Sequence, residues 1–208
     1  MSRLITFGCS NTYGEGLPDC WLSDQPGTIA SKLAWPSVLA DKLSLPIVNL
    51  AEPGVSNKFI WNKVINTEFQ QDDIVIILWT YLSRHCFFDE YGNHHRLLPS
   101  DIDKSGKEKI IRIRTKFFYT HFYSEKDSID DNFLRFDHTK TFLDKKNIKN
   151  YHFICDGHIE NVELPSWNSQ IPALMTFRDI GTPALDNMHP GIESQKDLAN
   201  RIFNHINN

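Results

Sequence analysis

Long apolar runs are missing from this chain: nowhere do 18 apolar residues follow one another, so no helix is expected to span a bilayer. The opening residues, Met1 to Gly8, hold one positive charge and an apolar run too short for a signal-peptide core. A soluble, cytoplasmic protein made without export is therefore expected. Cysteine is sparse. Cys9, Cys20, Cys86 and Cys155 are far apart and form no C-x-x-C pair, which excludes a zinc-ribbon or disulfide framework and predicts reduced, packing thiols. Positive charge is not in excess either, with 22 Lys and Arg against 26 Asp and Glu and a net charge of −4. No overall field draws the chain to phosphate backbones or anionic lipid, so neither nucleic acid nor membrane is an expected partner. Internal repeats and low-complexity tracts are absent, and the scattered Gly and Pro mark no linker.

What the chain does have is enough apolar material, 40% of 208 residues, for one substantial core, and a single domain over 1–208 is expected. Leu4 to Phe7, Ile47 to Leu50 and Ile74 to Trp79 are short, nearly all-apolar runs rich in β-branched residues. Such runs suit strands buried on both faces of a parallel sheet. Tyr151 to Cys155 is a fourth candidate. Between them lie helical spacings: Trp35, Val38, Leu39 and Leu43, with Pro36 in the first turn, then Val55 to Phe69 with Ser56 as N-cap. Gly191 to Ile206 reads as a closing helix. Alternating strands and helices predict right-handed crossovers and a sheet covered on both faces. The stretch 85–110 is polar and turn-rich, and is expected to be an insertion. Phe117, Phe118, Tyr119, Phe122 and Tyr123 have a spacing that suits a helix burying a broad face. No amphipathic membrane-binding segment stands out, and the basic run Lys104, Lys107, Lys109, Arg112, Arg114 and Lys116 reads as a solvated face.

Two segments carry chemistry. The first strand runs into Gly8-Cys9-Ser10-Asn11-Thr12-Tyr13-Gly14, which sets a serine just past the carboxyl end of a central strand, the edge where open α/β sheets bind ligands. Gly8 allows a tight exit and close approach of other backbone. Near the other end stands Asp186-Asn187-Met188-His189-Pro190-Gly191, an acid and an imidazole three positions apart in a turn. A nucleophilic serine needs a base in hydrogen-bond reach, and the base needs a third group to hold its tautomer. Cys9 is a rival nucleophile, but strand alternation turns it to the opposite face from Ser10. His94 and His95, near Asp89, Glu90 and Asp101, lack metal-ligand spacing and read as a solvated loop; His158 and His205 are read the same way.

Gly8-Cys9-Ser10 after the first strand, Asn49-Leu50-Ala51-Glu52-Pro53-Gly54 after the second, and Asp186-x-x-His189-Pro190 before the last helix together resemble the SGNH, or GDSL-like, hydrolase superfamily, in the family's order and across nearly the whole chain. The resemblance implies a three-layer α/β/α sandwich on a parallel sheet of about five strands. It implies Ser10 as nucleophile, His189 as general base, Asp186 as its orienting acid, and the N–H groups of Ser10 and Gly54 as oxyanion donors. It implies hydrolysis of carboxylic esters or thioesters with no metal and no organic cofactor. The chain departs from the family pattern in two places. Cys9 stands where Asp is usual, and after the third strand the family's Asn, a third oxyanion donor, is missing from Trp79-Thr80-Tyr81-Leu82-Ser83-Arg84. Losing such a donor costs on the order of a hundredfold or more in turnover. Asn57, Thr80 and Arg84 are the available substitutes. Trp21, Trp79, Arg84 and Trp167 are expected to border a small-molecule or glycan ester, with a carbohydrate O-acetylesterase as the leading reading. A non-catalytic binding module and an acyltransferase with the same triad are the alternatives.

Overall fold

The structure, a computed structural model, describes residues 2–20, 29–104, 106–157, 159 and 172–207. In chain order the elements are β1 (Leu4–Phe7), α1 (Ser10–Tyr13), α2 (Trp35–Leu43), β2 (Ile47–Asn49), α3 (Asn57–Ile65), β3 (Ile74–Trp79), β4 (His85–Phe88) and β5 (His94–Leu97). After a 3₁₀ turn at Pro99–Asp101 follow α4 (Lys109–His121), α5 (Glu125–Lys145), β6 (Lys149–Ile154), β7 (Ala173–Leu174) and α6 (Ile192–Asn207).

Five strands form one sheet in the order β2-β1-β3-β6-β7, and every neighbouring pair is parallel. Leu4 stands in register with Ile47 on one side and Ile74 on the other, so β1 is a central strand flanked by the two runs read from sequence. Its residues are buried throughout because the pleat sends alternate side chains into two separate cores. Ile5, Phe7, Val75, Ile77, Trp79 and Ile154 meet α3 and α5 through Ile60, Val64, Phe133, Phe136 and Leu143. Leu4, Ile76, Leu78 and Phe153 meet α2 and α6 through Trp35, Leu39, Leu198 and Ile202. The result is the expected three-layer α/β/α sandwich. Burial of each such large apolar side chain contributes about 1.5–3 kcal/mol, so the two cores together hold the sheet's carboxyl edge rigid.

Local signals act as the sequence implies. Pro36 sits in the first turn of α2, and the Ser56 hydroxyl caps α3 by accepting from the Phe59 N–H. Residues 85–101 form an antiparallel hairpin, β4 with β5, followed by the 3₁₀ turn. His94 and His95 are therefore strand residues, correcting the solvated-loop reading: His94 packs on the Phe59 ring, and His95 stacks on Phe87 and bonds Asp89. His205 is exposed on α6, in line with the solvated reading, with its ring edge-on to Phe153. His158 lies outside the described residues. The aromatic helix departs further from expectation. Phe118, Tyr119 and Tyr123 surround His85, but Phe117 and Phe122 face outward, and only Thr115 of α4 is fully buried. Among the described residues no helix is long and apolar enough to cross a membrane.

Candidate active site

Ser10 opens the single helical turn that leaves β1. Thr12 and Tyr13 donate back to the Cys9 carbonyl and Gly14 to the Ser10 carbonyl, so the Ser10 N–H, first in the turn, has no partner within it. Gly8 makes this geometry possible: a Cβ there would collide with the Thr12 side chain and crowd the Leu78 carbonyl. The turn is tied down from two sides. The Asn49 amide donates to the Thr12 carbonyl at 2.9 Å, and Gln195 of α6 donates to the Asn11 carbonyl at 3.3 Å while accepting from the Trp35 N–H. Cys9 is fully buried in the α3/α5 core, its thiol against that of Cys155, and is not presented to any ligand.

Asp186 and His189 form a self-contained unit. One Asp186 carboxylate oxygen accepts from the Met188 and His189 backbone N–H groups at 3.0 and 3.1 Å, and the other meets His189 Nδ1 at 2.5 Å. Asn187 takes a left-handed backbone (φ 54°) to close the turn. Burial works to raise the Asp186 pKa, but the Met188 N–H and the His189 imidazole outweigh it and hold the carboxyl below its usual value. An ionised acid on Nδ1 fixes the tautomer and leaves Nε2 for proton transfer.

The two ends of the chain meet here. The Leu185 N–H donates to the Gly16 carbonyl at 2.8 Å, and a Cβ on Gly16 would lie 2.7 Å from the Asp186 carboxylate. A cleft of about 450 Å³ opens beside them, lined among others by Asn11, Tyr81, Cys155, Met188 and His189. Ser10, adjacent to Asn11, is 5% exposed. No hydrogen bond joins Ser10 Oγ to His189 in this state; His189 Nε2 instead lies 3.5 Å from a Glu15 carboxylate oxygen. Glu15 and Gly16 were not read from the sequence as site residues, although two glycines around an acid five residues past the serine mark a second tight turn at the same edge.

The donors expected around an oxyanion sort differently. Gly54 has φ 70° in the turn after β2, and that loop runs beside Gly8, to whose carbonyl the Glu52 N–H donates at 3.2 Å. The guanidinium of Arg96, from β5, closes over Gly54: a Cβ there would lie 2.5 Å from Nη1. Asn57 is fully buried and braces the residue after β3, its amide donating to the Thr80 carbonyl at 3.0 Å and accepting from the Thr80 N–H at 2.8 Å. The Thr80 side chain is itself sealed. Asn57 is corrected from a donor to a structural brace and Thr80 from a donor to the backbone it braces, because burial removes both side chains from any ligand. Trp79 is corrected as a substrate contact for the same reason: it is wholly buried, its ring against Phe136 and its N–H donating to His152. Arg84 differs. Its guanidinium lies 4.7 Å from the centre of the Tyr81 ring, which borders the cleft, and its Nη1 is buried with no acceptor among the described residues. Trp21 and Trp167 lie outside the described residues. Among those described, no group of three His, Cys, Asp or Glu side chains could hold a metal ion.

No protein-family model matches the chain, and no curated protein matches it. Solved structures do. An acetyl xylan esterase from the rumen bacterium Butyrivibrio proteoclasticus superposes with a TM-score of 0.57 at 12% identity, over 99% of this chain and 63% of that one. A carbohydrate esterase whose active site is described as having divergent catalytic and non-catalytic binding functions superposes with a TM-score of 0.56 at 13% identity, over 99% and 64%. A carbohydrate esterase family 2 enzyme with a carbohydrate-binding domain, from Myceliophthora fergusii, gives 0.50 at 9% identity, over 99% and 65%. The chain thus spans less than two thirds of the length of these proteins. With a parallel five-stranded sheet between two helical layers, a serine at the exit of β1 and an Asp-His turn ahead of the last helix, the chain has the SGNH hydrolase fold.

Proposed function

We propose that the protein is a serine esterase that attacks carboxylic esters with Ser10, using His189 as base and Asp186 as the group that orients it. The observation that carries this reading is the Asp186–His189 pair, held at 2.5 Å through Nδ1 on the wall of a cleft that Asn11, the neighbour of Ser10, also lines. His189 Nε2 takes the Ser10 proton as Oγ attacks the carbonyl carbon, then delivers it to the leaving alkoxide; water reverses the sequence on the acyl-enzyme. The N–H groups of Ser10 and Gly54 stabilise the oxyanion, and Arg84, whose guanidinium lies against the Tyr81 ring at the border of the cleft, is the candidate for the third donor in place of the family Asn. The substrate class we favour is an O-acetylated carbohydrate, supported by the acetyl xylan and carbohydrate esterases among the similar structures. A serine-reactive phosphonate tests the assignment: it labels the wild type and leaves Ser10→Ala unlabelled. Equal labelling of both removes Ser10 from the mechanism, and hydrolysis of a short activated ester that survives His189→Ala removes the base.

A further inference from the structure

Among the described residues, helix α4 presents an apolar stripe to solvent. Ile110, Ile113 and Phe117 recur at helical spacing with exposures of 65, 53 and 56%, and Phe122, one residue past the helix, adds another at 66%. A soluble surface scatters such residues singly; a contiguous row on one helix marks a binding face. The helix is anchored by its other side. The Tyr119 hydroxyl donates to the carbonyls of Ser83 and Leu97, Phe118 packs on His85, and the Arg114 guanidinium lies over Phe87. The outward face is therefore fixed and not a helix awaiting repacking.

Charge decides what that face suits. From Lys109 to Ser124 the chain contains no Asp or Glu, while Lys109, Arg112, Arg114 and Lys116 lie in the same stretch, in a protein whose net charge is −4. Lys109 and Lys116 are exposed on the same face as Ile110, Ile113 and Phe117. The nearest acids in sequence, Glu108 and Glu125, lie at the two ends and off the stripe. Exposed Ile and Phe bordered by lysines with no intervening acid is the arrangement of a helix that lies in the plane of a bilayer surface, its apolar side among acyl chains and its cations on the headgroups. We propose that α4 is an interfacial docking element for an anionic lipid surface. Because α4 is fastened to the segment leaving β3, docking would hold the carboxyl edge of the sheet, and with it the cleft, near that surface.

Co-sedimentation of the full chain with phosphatidylcholine vesicles, with and without phosphatidylglycerol, tests this. Binding is expected only to the vesicles containing phosphatidylglycerol, and it weakens as salt rises. Ile113→Asp and Phe117→Asp each lower the partition coefficient at least tenfold, Lys116→Glu lowers it by about fivefold or more, and Leu134→Asp on α5 leaves it unchanged. These positions are exposed, so thermal melting and hydrolysis of a soluble ester stay at wild-type level in all four variants; that keeps the result separate from the serine esterase reading. No binding to the anionic vesicles overturns the proposal, as does equal binding to both kinds or binding indifferent to the α4 substitutions. Concentration-dependent self-association abolished by Ile113→Asp would also overturn it, by assigning the stripe to a second copy of the chain.

Discussion

Under the proposed mechanism, replacing Gly16 by Ala should cripple the site without replacing Ser10, Asp186 or His189. Gly16 has φ 82°, where an L-residue with a Cβ loses about 1–2 kcal/mol. The added methyl would also lie 2.7 Å from Asp186 Cγ and one carboxylate oxygen and 2.8 Å from the other, where ordinary contacts begin near 3.4 Å. Either the Gly14–Gly16 turn or the carboxylate must retreat by roughly 0.7 Å, and the carboxylate is tied to His189 through Nδ1 and through two backbone N–H groups. The imidazole therefore moves with it. Misplacement of a catalytic group on the order of 1 Å costs about a hundredfold in rate, so kcat for a short activated ester should fall by about two orders of magnitude, while KM changes little because Gly16 does not line the cleft. The assay is steady-state hydrolysis alongside a thermal melt, which should show a loss of only a few degrees. Wild-type kcat in a folded Gly16→Ala protein would refute the reasoning, since it would mean that the position of Asp186 does not govern the rate.

The remaining predictions follow from single contacts. Asp186→Asn keeps the turn but presents the wrong hydrogen to Nδ1; in triads of this logic the cost is about 10⁴ in kcat, measurable against wild type by stopped assay. Arg84→Gln should lower kcat by about a hundredfold with KM nearly unchanged, and Arg84→Lys should recover part of it; an unchanged kcat in Arg84→Gln would remove Arg84 as an oxyanion donor. His152 accepts the Trp79 indole N–H, and burial pushes its pKa down to about 3. The unfolded chain binds this proton near pH 6.5 and the folded one only near 3, so stability is full above pH 6.5 and is lost progressively as pH falls toward 3. Denaturant titrations between these values should show a shallower loss for His152→Gln than for wild type.

The sheet and its helices were legible because β1, β2 and β3 are uninterrupted apolar runs and α2, α3 and α6 carry caps or clear spacing. β7 was not: Ala173–Leu174 is two residues long in a turn-rich stretch, too short for any periodicity to register. Of the site, Ser10, Asp186 and His189 were visible as residue types placed at strand and helix boundaries. Asn57 and Thr80 misled for a physical reason: a polar side chain beside a site looks the same in sequence whether it faces the ligand or is sealed inside, and only the bonds of the Asn57 amide to the Thr80 backbone and the burial of both side chains tell the two apart. Trp79 misled because the end of a strand and the floor of the core coincide at that position. The α4 stripe escaped because an aromatic-rich segment predicts burial, whereas the anchoring of Tyr119 and Phe118 turns Phe117 to the outside.

Gln195 has a consequence for the order in which the protein matures. It joins the first turn of the chain to the last helix, bridging 184 positions in one bond and 160 in another. Loop closure over such a span comes late in folding, after the nearer strands have paired. A chain still emerging from the ribosome can therefore complete most of its sheet while the serine turn remains unbraced. The cleft becomes whole only once the C-terminal helix has been synthesised and has docked, so under the proposed mechanism a nascent fragment that already displays Ser10 has no positioned imidazole to work with.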